Sequence, residues 1–522
     1  MDNRRPVKNI LSARNIRQVF TQSQNDCSAK VIIAIAHKNQ PKELISAIES
    51  ALKQTAVLNG TASILVLDDN SQLDINTYLR PYITTKKLMV IQADCGSPAR
   101  ARNCLLDYID EYFDKVDWVA RLDADDTFAS VNAVQALYEK GNEHNKQFVI
   151  GSNLLNINGK IIGENIADES ILLNNENLKH FIEAFCTGKE TQELPSCNLL
   201  LKTNLGVRYP NIKSAEDHWL IASLLAFSAK QGCIVPSPAY ANYALNGSDT
   251  LENRKNYIWA EQRLRLTEVF DTWCLLQEES KNILGAGLEG VVYKEQNNII
   301  KQYYSWTLND DDVKVVQSLI NQRVPCLPNA IFFKKKKIWF CKYQDDQLQP
   351  FSINITKNNV IKYLTTLYQN NIVTNNIKRD NLRINEAGEL IYIDIGKDIT
   401  PLTTSRFLDM SARLYAIAIL KLPDEEWVRR QSTTPQDQEL LKLKGFEAFY
   451  ADLIDSLSLV KTTQDTALAI KGYSKDSITN DVSLLIKACS QDAEVLYEQV
   501  HHIVSQLNSP CKFATTTLLL DS

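Results

Sequence analysis

Runs of apolar residues alternate with helical patterns from residue 31 onward. Four stretches are almost continuously apolar, which is typical of strands buried on both faces, and two stretches between them carry apolar residues at helical spacing. The predicted strands are 31–36, 64–67, 88–91 and 118–122, and the predicted helices are 42–55 and 99–112. Apolar strands joined by helices predict an α/β fold with a parallel sheet covered on both faces.

A second pattern begins near residue 281. A glycine-rich turn separates two apolar runs, and short strand-like segments recur before a mainly helical stretch at 402–480. The basic run 334–337 stands between two apolar pairs and is predicted to be a solvated hairpin turn. Short strands followed by helices predict an α+β domain.

These patterns predict six regions. They are a flexible extension (1–28), an α/β domain (29–252), a helical connector (253–280), an α+β domain (281–424), a helical region (425–480) and a β-α-β segment (481–522). The last segment is either a truncated third domain or a unit that packs on the helical region.

Composition narrows the class of protein. A net charge of −5 in 522 residues leaves no basic excess for binding nucleic acid. The eleven cysteines include no Cys-x-x-Cys pair, so neither a zinc site nor a disulfide scaffold is predicted. No signal peptide and no transmembrane segment is expected, and the expected location is the cytoplasm or the inner face of a membrane.

Carboxylates follow two of the predicted strands. Asp68 and Asp69 follow 64–67, while Asp123, Asp125 and Asp126 follow 118–122. Ligands of parallel sheets bind beyond the carboxyl ends of the strands, and hard oxygen ligands suit Mg²⁺ or Mn²⁺. An acidic loop that caps the next helix is the alternative for 123–126.

Four motifs follow one another along the chain: Asp68-Asp69-Asn70-Ser71, Ala101-Arg102-Asn103, Asp123-Ala124-Asp125 and Glu216-Asp217. In this order they resemble the family 2 glycosyltransferases, over about residues 29–250. The resemblance implies a GT-A nucleotide-diphospho-sugar transferase fold. By this resemblance Asp69 binds the nucleotide base and Arg102 lies near the phosphates. Asp125 and Asp123 bind the metal, and Asp123 also belongs to the donor site. Asp217 is the general base. Without the other motifs, a helix N-terminus would be the preferred explanation of Glu216-Asp217.

The implied reaction is a single inverting displacement, dependent on Mn²⁺ or Mg²⁺. A sugar moves from a nucleoside-diphosphate donor to a hydroxyl of a glycan, a lipid-linked glycan or a peptide. The chain departs from the family at His37, where a hydroxyl or aromatic residue usually stacks on the base. His37 is either a donor-binding residue or an ordinary loop residue.

Residues 281–420 resemble the protein-kinase-like superfamily. Gly285, Gly287 and Gly290 fit a glycine-rich phosphate loop, although such hairpins also occur without ligands. The resemblance assigns a phosphate to Lys301 and metal ligation to Asn381 and Asp394, and it makes ATP a further partner.

The kinase-like pattern is degenerate where the chemistry lies. Asn376 occupies the position of the catalytic Asp, and an amide cannot act as a carboxylate base. No clear Glu follows Lys301 to pair with it, so Asp311, Asp312 or Gln317 would have to substitute. A shifted register through Asp380 and Asn385 is disfavoured, because Asn385 would lie inside a predicted hairpin.

The sequence thus predicts a glycosyltransferase with a kinase-like second domain of the pseudokinase type. Two alternatives stay open. One is a bifunctional enzyme that also phosphorylates a small molecule, and the other is a non-catalytic nucleotide-binding module of a polysaccharide assembly complex.

Overall fold

The structure of the protein, a computed structural model, describes most of the chain before residue 422. The described residues are 16–19, 28–83, 87–165, 169–173, 175–186, 196–245, 258–346, 348–351, 355–421 and 445–458. They form two compact units, which divide between Ser280 and Lys281. Within the predicted helical region 425–480 only 445–458 are described, and the predicted segment 481–522 lies outside the described residues.

Two sheets organise the first unit. Its strands are β1 (Ile16–Val19), β2 (Val31–His37), β3 (Ala62–Asp69), β4 (Leu88–Ala93), β5 (Trp118–Asp123), β6 (Thr127–Phe128), β7 (Phe148–Gly151), β8 (Asn153–Ile157), β9 (Lys160–Asn165), β10 (Leu199–Lys202), β11 (Gly232–Val235) and β12 (Ala241–Ala244). The larger sheet has eight strands in the order β1-β4-β3-β2-β5-β10-β7-β11. The smaller one has the order β6-β12-β8-β9.

The centre of the larger sheet is parallel, as the apolar runs predict. β2 pairs in parallel with β3 and β5, and β3 pairs in parallel with β4. The first five residues of β2 are at most 1% exposed, because side chains pack on both faces. Beyond β5 the sheet is mixed, since β10 runs antiparallel to both of its neighbours.

Two parts of the first unit differ from the predicted boundaries. Ile16–Val19 forms edge strand β1, antiparallel to β4, within the stretch 1–28 that was predicted to be a flexible extension. Its two apolar residues, Ile16 and Val19, are three positions apart and do not form the alternating pattern that signals a strand. The described part of the predicted connector 253–280 is a helix that packs inside the first unit.

The helices of the first unit connect and cover the strands. They are α1 (Pro41–Leu52), α2 (Thr55–Leu58), α3 (Ile75–Ile83), α4 (Pro98–Tyr112), α5 (Ala133–Glu143), α6 (Ser170–Leu173), α7 (Asn175–Cys186), α8 (Glu216–Ser228) and α9 (Ile258–Glu278). α4 begins after Ser97, whose hydroxyl accepts the backbone N–H of Arg100, and Pro98 at its first position suits a helix start. α9 packs on α7 and α8.

The second unit contains a five-stranded antiparallel sheet. Its strands are β13 (Asn282–Ala286), β14 (Gly290–Glu295), β15 (Asn298–Tyr303), β16 (Ile331–Lys335) and β17 (Ile338–Gln344), in the order β13-β14-β15-β17-β16. The turn predicted within 334–337 lies at Lys336 and Lys337, which both adopt left-handed backbone conformations between β16 and β17. That prediction is confirmed.

Helices and short strands complete the second unit. They are α10 (Asp310–Ile320), β18 (Gln349–Pro350), α11 (Lys357–Gln369), β19 (Ile372–Thr374), β20 (Leu382–Ile384), β21 (Leu390–Tyr392), β22 (Ile399–Pro401), α12 (Thr404–Ala418) and α13 (Phe446–Ser458). α13 packs on α11 and α12, and its Phe446 and Phe449 rings lie 5.4 and 4.8 Å from the ring of Tyr415. One apolar core joins these helices to the sheet.

Candidate functional site

The strand-end carboxylates of the first unit converge at one edge of the larger sheet. In the parallel register His37 lies beside Asp68, and Ala36 lies beside Asp123. The ends of β3 and β5 therefore flank the end of β2, and the acidic residues of both ends meet there. The structure thus brings together two of the sequence motifs, which are more than 50 residues apart.

Asp69 is fixed by the loop that follows β4. Its Oδ1 accepts the backbone N–H groups of Cys95, at 2.5 Å, and of Gly96, at 3.1 Å. The Lys38 ammonium lies 3.4 Å from Oδ2, and Asp69 is 3% exposed. These bonds hold the carboxylate rigidly at the end of β3.

His37 is buried behind the carboxyl edge. Its Nε2 lies 3.0 Å from the hydroxyl of Tyr78, and burial lowers the pKa of His37 to about 4, so the ring is neutral at neutral pH. The neighbouring Asp68 accepts the Gln92 side-chain amide at 3.0 Å, and burial raises the pKa of Asp68. The His37 side chain has no exposed surface on which a base could stack in this structure.

Two arginines converge on Asp123. The Oδ1 atom accepts from Nη2 of Arg121 at 2.5 Å and from Nη2 of Arg102 at 3.1 Å. Burial alone would raise the pKa of Asp123, but the two guanidinium groups lower it to about 2. Asp123 is therefore ionised throughout the physiological range.

Arg102 also joins this strand end to the start of α8. Its Nη1 donates to Oε1 of Glu216, the first residue of α8. Burial raises the pKa of Glu216, and Arg102 opposes that shift. Arg102, from α4, therefore bridges the end of β5 to the helix that carries Asp217, and it is not free to receive a phosphate without exchanging a carboxylate.

Asp217 lies in the first turn of α8. Its Oδ1 accepts the backbone N–H of His218 at 2.9 Å, and its electrostatic field contributes to the pKa of Arg102. The preceding Ala215 has a φ of 65°, a left-handed conformation that costs a non-glycine residue roughly 1–2 kcal/mol. Such strain is concentrated at functional sites, where surrounding contacts hold it.

Arg121 and Tyr209 belong to the site although the sequence reasoning did not select them. The Tyr209 ring lies under both guanidinium groups, 5.5 Å from Arg102 Cζ and 5.7 Å from Arg121 Cζ. Strand alternation places Arg121 on the same face as Asp123, so the sequence contained a signal for Arg121. Tyr209 follows an irregular segment, and no local pattern connects it with the strand ends.

Among the described residues, one group has metal-ligand spacing: ligand atoms of Asp123, Asp126 and Cys197 lie within 4.8 Å of one another. Burial, then repulsion by Asp125 and Asp123, raises the pKa of Asp126 well above its ordinary value. Burial also raises the pKa of the Cys197 thiol. Burial thus disfavours the ionised forms of Asp126 and Cys197, and sulfur is a poor ligand for a hard cation, whereas the ionised Asp123 suits one.

Asp125 occupies a different position from Asp126. It lies in the turn after β5 and is partly exposed, and it is not a member of the spacing group. Asp126 instead points inward, where its Oδ1 accepts the backbone N–H of Ala244 at 2.7 Å and fastens the turn to β12. Asp126 therefore has a structural role in the turn, whereas the side chain of Asp125 is accessible.

The second unit has its own buried charge cluster. Nζ of Lys301 lies 2.6 Å from Oδ1 of Asp394 and 3.2 Å from Oε2 of Glu289. The other Asp394 oxygen accepts the side-chain amides of Asn381 at 3.1 Å and Asn376 at 3.4 Å. The predicted residues Lys301, Asn381, Asp394 and Asn376 thus meet at one place.

The three glycines of the hairpin between β13 and β14 differ in their surroundings. A Cβ at Gly290 would lie 2.1 Å from the backbone oxygen of Gln302, so packing requires glycine there. A Cβ at Gly285 or Gly287 would meet nothing within 4 Å. Packing therefore does not explain Gly285 and Gly287, and both leave open space over the hairpin.

Residues 32–203 match the sequence profile of the family described as Glycosyl transferase family 2. The match covers β2 to β10, and so the strand ends with Asp69 and Asp123. The first unit therefore contains a family 2 glycosyltransferase domain with a mixed, GT-A-like sheet, and the prediction of a glycosyltransferase is confirmed. No curated protein matches the chain. None of the described helices is long and apolar enough to cross a membrane.

Solved structures similar to the chain include those of S. aureus TarS 1-349. The free form is 18% identical over 48% of this chain and 72% of that chain, with a TM-score of 0.34. The complex with UDP-GlcNAc is 17% identical over 46% of this chain and 66% of that chain, also with a TM-score of 0.34. Likeness at this level carries no argument about chemistry.

Proposed function

We propose that this glycosyltransferase is an inverting enzyme that moves a sugar from a nucleoside-diphosphate donor to a hydroxyl acceptor, with Asp217 as the general base. One observation carries the proposal: Arg102 bridges Asp123, at the end of β5, to Glu216, beside Asp217. Donor-side and acceptor-side motifs that are about 90 residues apart in the chain are thereby held at one edge of the sheet.

The proposed step has a simple proton balance. Asp217 takes the proton of the acceptor hydroxyl, the oxygen attacks the anomeric carbon, and the bond from that carbon to the diphosphate breaks. Negative charge develops on the departing diphosphate. The guanidinium groups of Arg102 and Arg121, which both contact Asp123, supply positive charge near it. Asp69 remains the candidate for the nucleotide base. For His37 we propose support of the β2 end through Tyr78 in place of stacking.

A divalent cation, Mn²⁺ or Mg²⁺, would be held by Asp125 together with the free Oδ2 of Asp123. Asp123 is ionised, and Asp125 is the accessible carboxylate of the turn, so both supply hard oxygen ligands. When bound, the cation would neutralise charge on the diphosphate. Asp126 is assigned to the fold of the turn through its bond to Ala244.

We further propose that the second unit is a kinase-like nucleotide-binding module without phosphoryl transfer. Lys301 lies on its third strand, Asp394 and Asn381 are in contact, and the open glycines lie on the preceding hairpin, in agreement with the roles these residues have in kinases. Asn376 faces Asp394 with an amide, which cannot take a proton from an acceptor. This arrangement favours nucleotide binding over the bifunctional alternative.

The glycosyltransferase proposal is tested by release of nucleoside diphosphate from UDP-, GDP- and dTDP-sugars with Mn²⁺ and a pool of glycan acceptors. We expect release from one donor class, loss of that release in Asp125→Ala and after chelation, and no change in Glu143→Gln, whose side chain is 68% exposed on α5. Release that persists after chelation would contradict only the metal role. No release from any donor would contradict the proposal itself.

The kinase-like proposal has a separate test. Equilibrium binding of Mg²⁺-ATP to the full chain should be detectable and weaker in Asp394→Asn, while labelled ATP should transfer no phosphate to sugar or lipid acceptors. Absence of ATP binding would contradict the proposal. Phosphate transfer would restore the bifunctional alternative.

A further inference from the structure

Lys301 is the most enclosed cation of the second unit's charge cluster. It is 7% exposed, its ammonium contacts the carboxylates of Asp394 and Glu289, and it lies 4.9 Å from the centre of the Tyr303 ring. Burial alone would lower the pKa of Lys301, but Asp394 and Glu289 raise it above its ordinary value. The ammonium therefore has two carboxylate partners, and one of them was not predicted from the sequence.

Helix α10 does not supply that partner, although the sequence left Asp311, Asp312 and Gln317 as candidates. Asp311 pairs with Lys314 on the surface, and Asp312 accepts the backbone N–H of Asn309 in the helix cap. Gln317 is occupied by the backbone of β16, because it donates to Ala330 and accepts from Phe332.

The buried face of α10 is apolar. Its buried residues are Val313, Val316, Leu319 and Ile320. A helix with this face contributes packing to the core and no counter-ion to Lys301. All three candidates for the lysine's partner are therefore wrong, and the carboxylate comes from elsewhere in the unit.

We propose that Glu289, at the tip of the glycine-rich hairpin, is the positioning carboxylate that orients Lys301 for a nucleotide phosphate. In protein kinases a glutamate of the αC helix has this role. Here the hairpin that would cover the phosphates also holds the lysine that would bind them. This inference rests on the kinase-like nucleotide site proposed above.

Backbone contacts hold Glu289 in place. Its carbonyl oxygen accepts the N–H of Tyr304 at 3.0 Å and the hydroxyl of Thr307 at 2.9 Å. The next residue, Gly290, packs directly on the backbone of Gln302. The hairpin tip is thus fastened to β15 and to the turn that follows it, so the Glu289 carboxylate is aimed at Lys301 by backbone contacts on one side of the sheet.

The Glu289 carboxylate also reaches the segment after Asp394. Its Oε1 lies 3.9 Å from Nζ of Lys397, and its Oε2 would lie 3.8 Å from a Cβ at Gly396. A Cβ at Gly396 would therefore be in ordinary van der Waals contact with this carboxylate. The glycine-rich hairpin, the strand that carries Lys301 and the segment after Asp394 therefore meet at one carboxylate.

The test is competitive acylation of lysines in the full chain at alkaline pH, with the yield at Lys301 read by mass spectrometry. An amine reacts only when deprotonated, so each unit by which its pKa falls increases its reactivity about tenfold. We expect Glu289→Gln to increase Lys301 labelling about tenfold. Glu289→Asp, which keeps the charge, should stay near wild type, and Asp311→Asn, a surface control, should not change it.

A second arm adds Mg²⁺-ATP. Protection of Lys301 in wild type that weakens in Glu289→Gln is the expected result. Absence of protection in wild type would contradict the nucleotide site, while a rise in labelling in Glu289→Gln would still support the ion pair. Equal labelling of Lys301 in wild type, Glu289→Gln and Glu289→Asp would overturn the inference. If the Glu289→Gln variant does not fold, the Glu289→Asp variant provides the test. Its shorter side chain should weaken the protection of Lys301 by Mg²⁺-ATP.

Discussion

In the described part of each unit, a largely enclosed cation near the candidate site bridges two carboxylates, and the two bridges connect different elements. In the first unit Arg102 links Asp123 to Glu216, and a further carboxylate, Asp217, follows directly. In the second unit Lys301 links Glu289 to Asp394, and the adjoining side chain is the amide of Asn376. The side chain that adjoins the bridge is thus a carboxylate in the first unit and an amide in the second.

This difference teaches how a charge cluster is to be interpreted. A buried cation between two carboxylates positions loops and strand ends in either unit, so the bridge by itself does not indicate catalysis. Chemistry requires in addition a group of suitable acidity next to the bridge.

The largest effect is expected for Asp217→Asn. The amide keeps the size of the side chain but removes the base, so sugar transfer should fall by about 10²–10⁴-fold. Donor affinity should stay within about twofold, because the proposed donor contacts are elsewhere. Single-turnover transfer and equilibrium donor binding measure the two quantities, with Glu143→Gln as the surface control. A parallel loss of donor binding would show that Asp217 holds the donor.

Removal of the bridging cations should destabilise the units unequally. Arg102→Met leaves Glu216 buried without its cation and should cost about 3–5 kcal/mol. Lys301→Met should cost less, about 1–3 kcal/mol, because Asp394 keeps the two asparagine amides and Glu289 keeps Lys397.

Native-state hydrogen exchange, followed separately in β5 and in β15, measures both effects in the full chain. The matched controls are Lys140→Met and Lys314→Met, whose side chains are 39% and 76% exposed. A larger loss for Lys301→Met than for Arg102→Met would contradict the comparison.

The smallest effects concern pH, and His37 in the first unit and Asp398 in the second should contribute to stability with opposite sign. Burial lowers the pKa of His37 to about 4. As pH falls, the unfolded chain therefore binds a proton at His37 before the folded protein does. His37 consequently makes the fold more stable as pH rises from 4 to 6.5, by up to about 3 kcal/mol. Burial, then Glu289 and Asp394, raises the pKa of Asp398 to about 7. The native state then holds its proton longer, so Asp398 makes the fold less stable as pH rises from 4 to 7.

Differences between wild type and variants isolate these two contributions. Stability measured against pH should lose part of its upward slope in His37→Asn and part of its downward slope in Asp398→Asn. Slopes that change in the same direction in the two variants would contradict the assigned burial of one of the groups.

Continuous apolar runs were sufficient to predict the first unit's architecture. Strands β2 to β5 and the carboxylates at their ends follow from local patterns, because burial on both faces leaves no polar position inside a parallel strand. The antiparallel insertion of β10 between β5 and β7 did not follow, since Leu200 pairs with Ala120 and Leu199 with Ile150, residues too far apart in the chain for a local signal. The edge strand Ile16–Val19 was missed for the same reason.

Site residues were predictable only where a short motif contains them. Asp123 and Asp217 were found as motif members, but their connection through Arg102 and Tyr209 depends on how α4 and the segment before α8 fold back on β5. Glu289 was passed over because the position expected for the partner of Lys301 was a later helix. The hairpin position became informative only when the face of α10 proved to be apolar.

The most direct test of the proposed active site is a crystal structure of the protein with Mn²⁺ and the nucleoside diphosphate of the donor that it cleaves. The proposed site predicts the diphosphate at the carboxyl ends of β2, β3 and β5, with the cation on Asp125 and Asp123 and with Asp217 facing the space left for the sugar. A diphosphate bound away from that edge, or a cation held by Asp126 and Cys197 in place of Asp125, would contradict it.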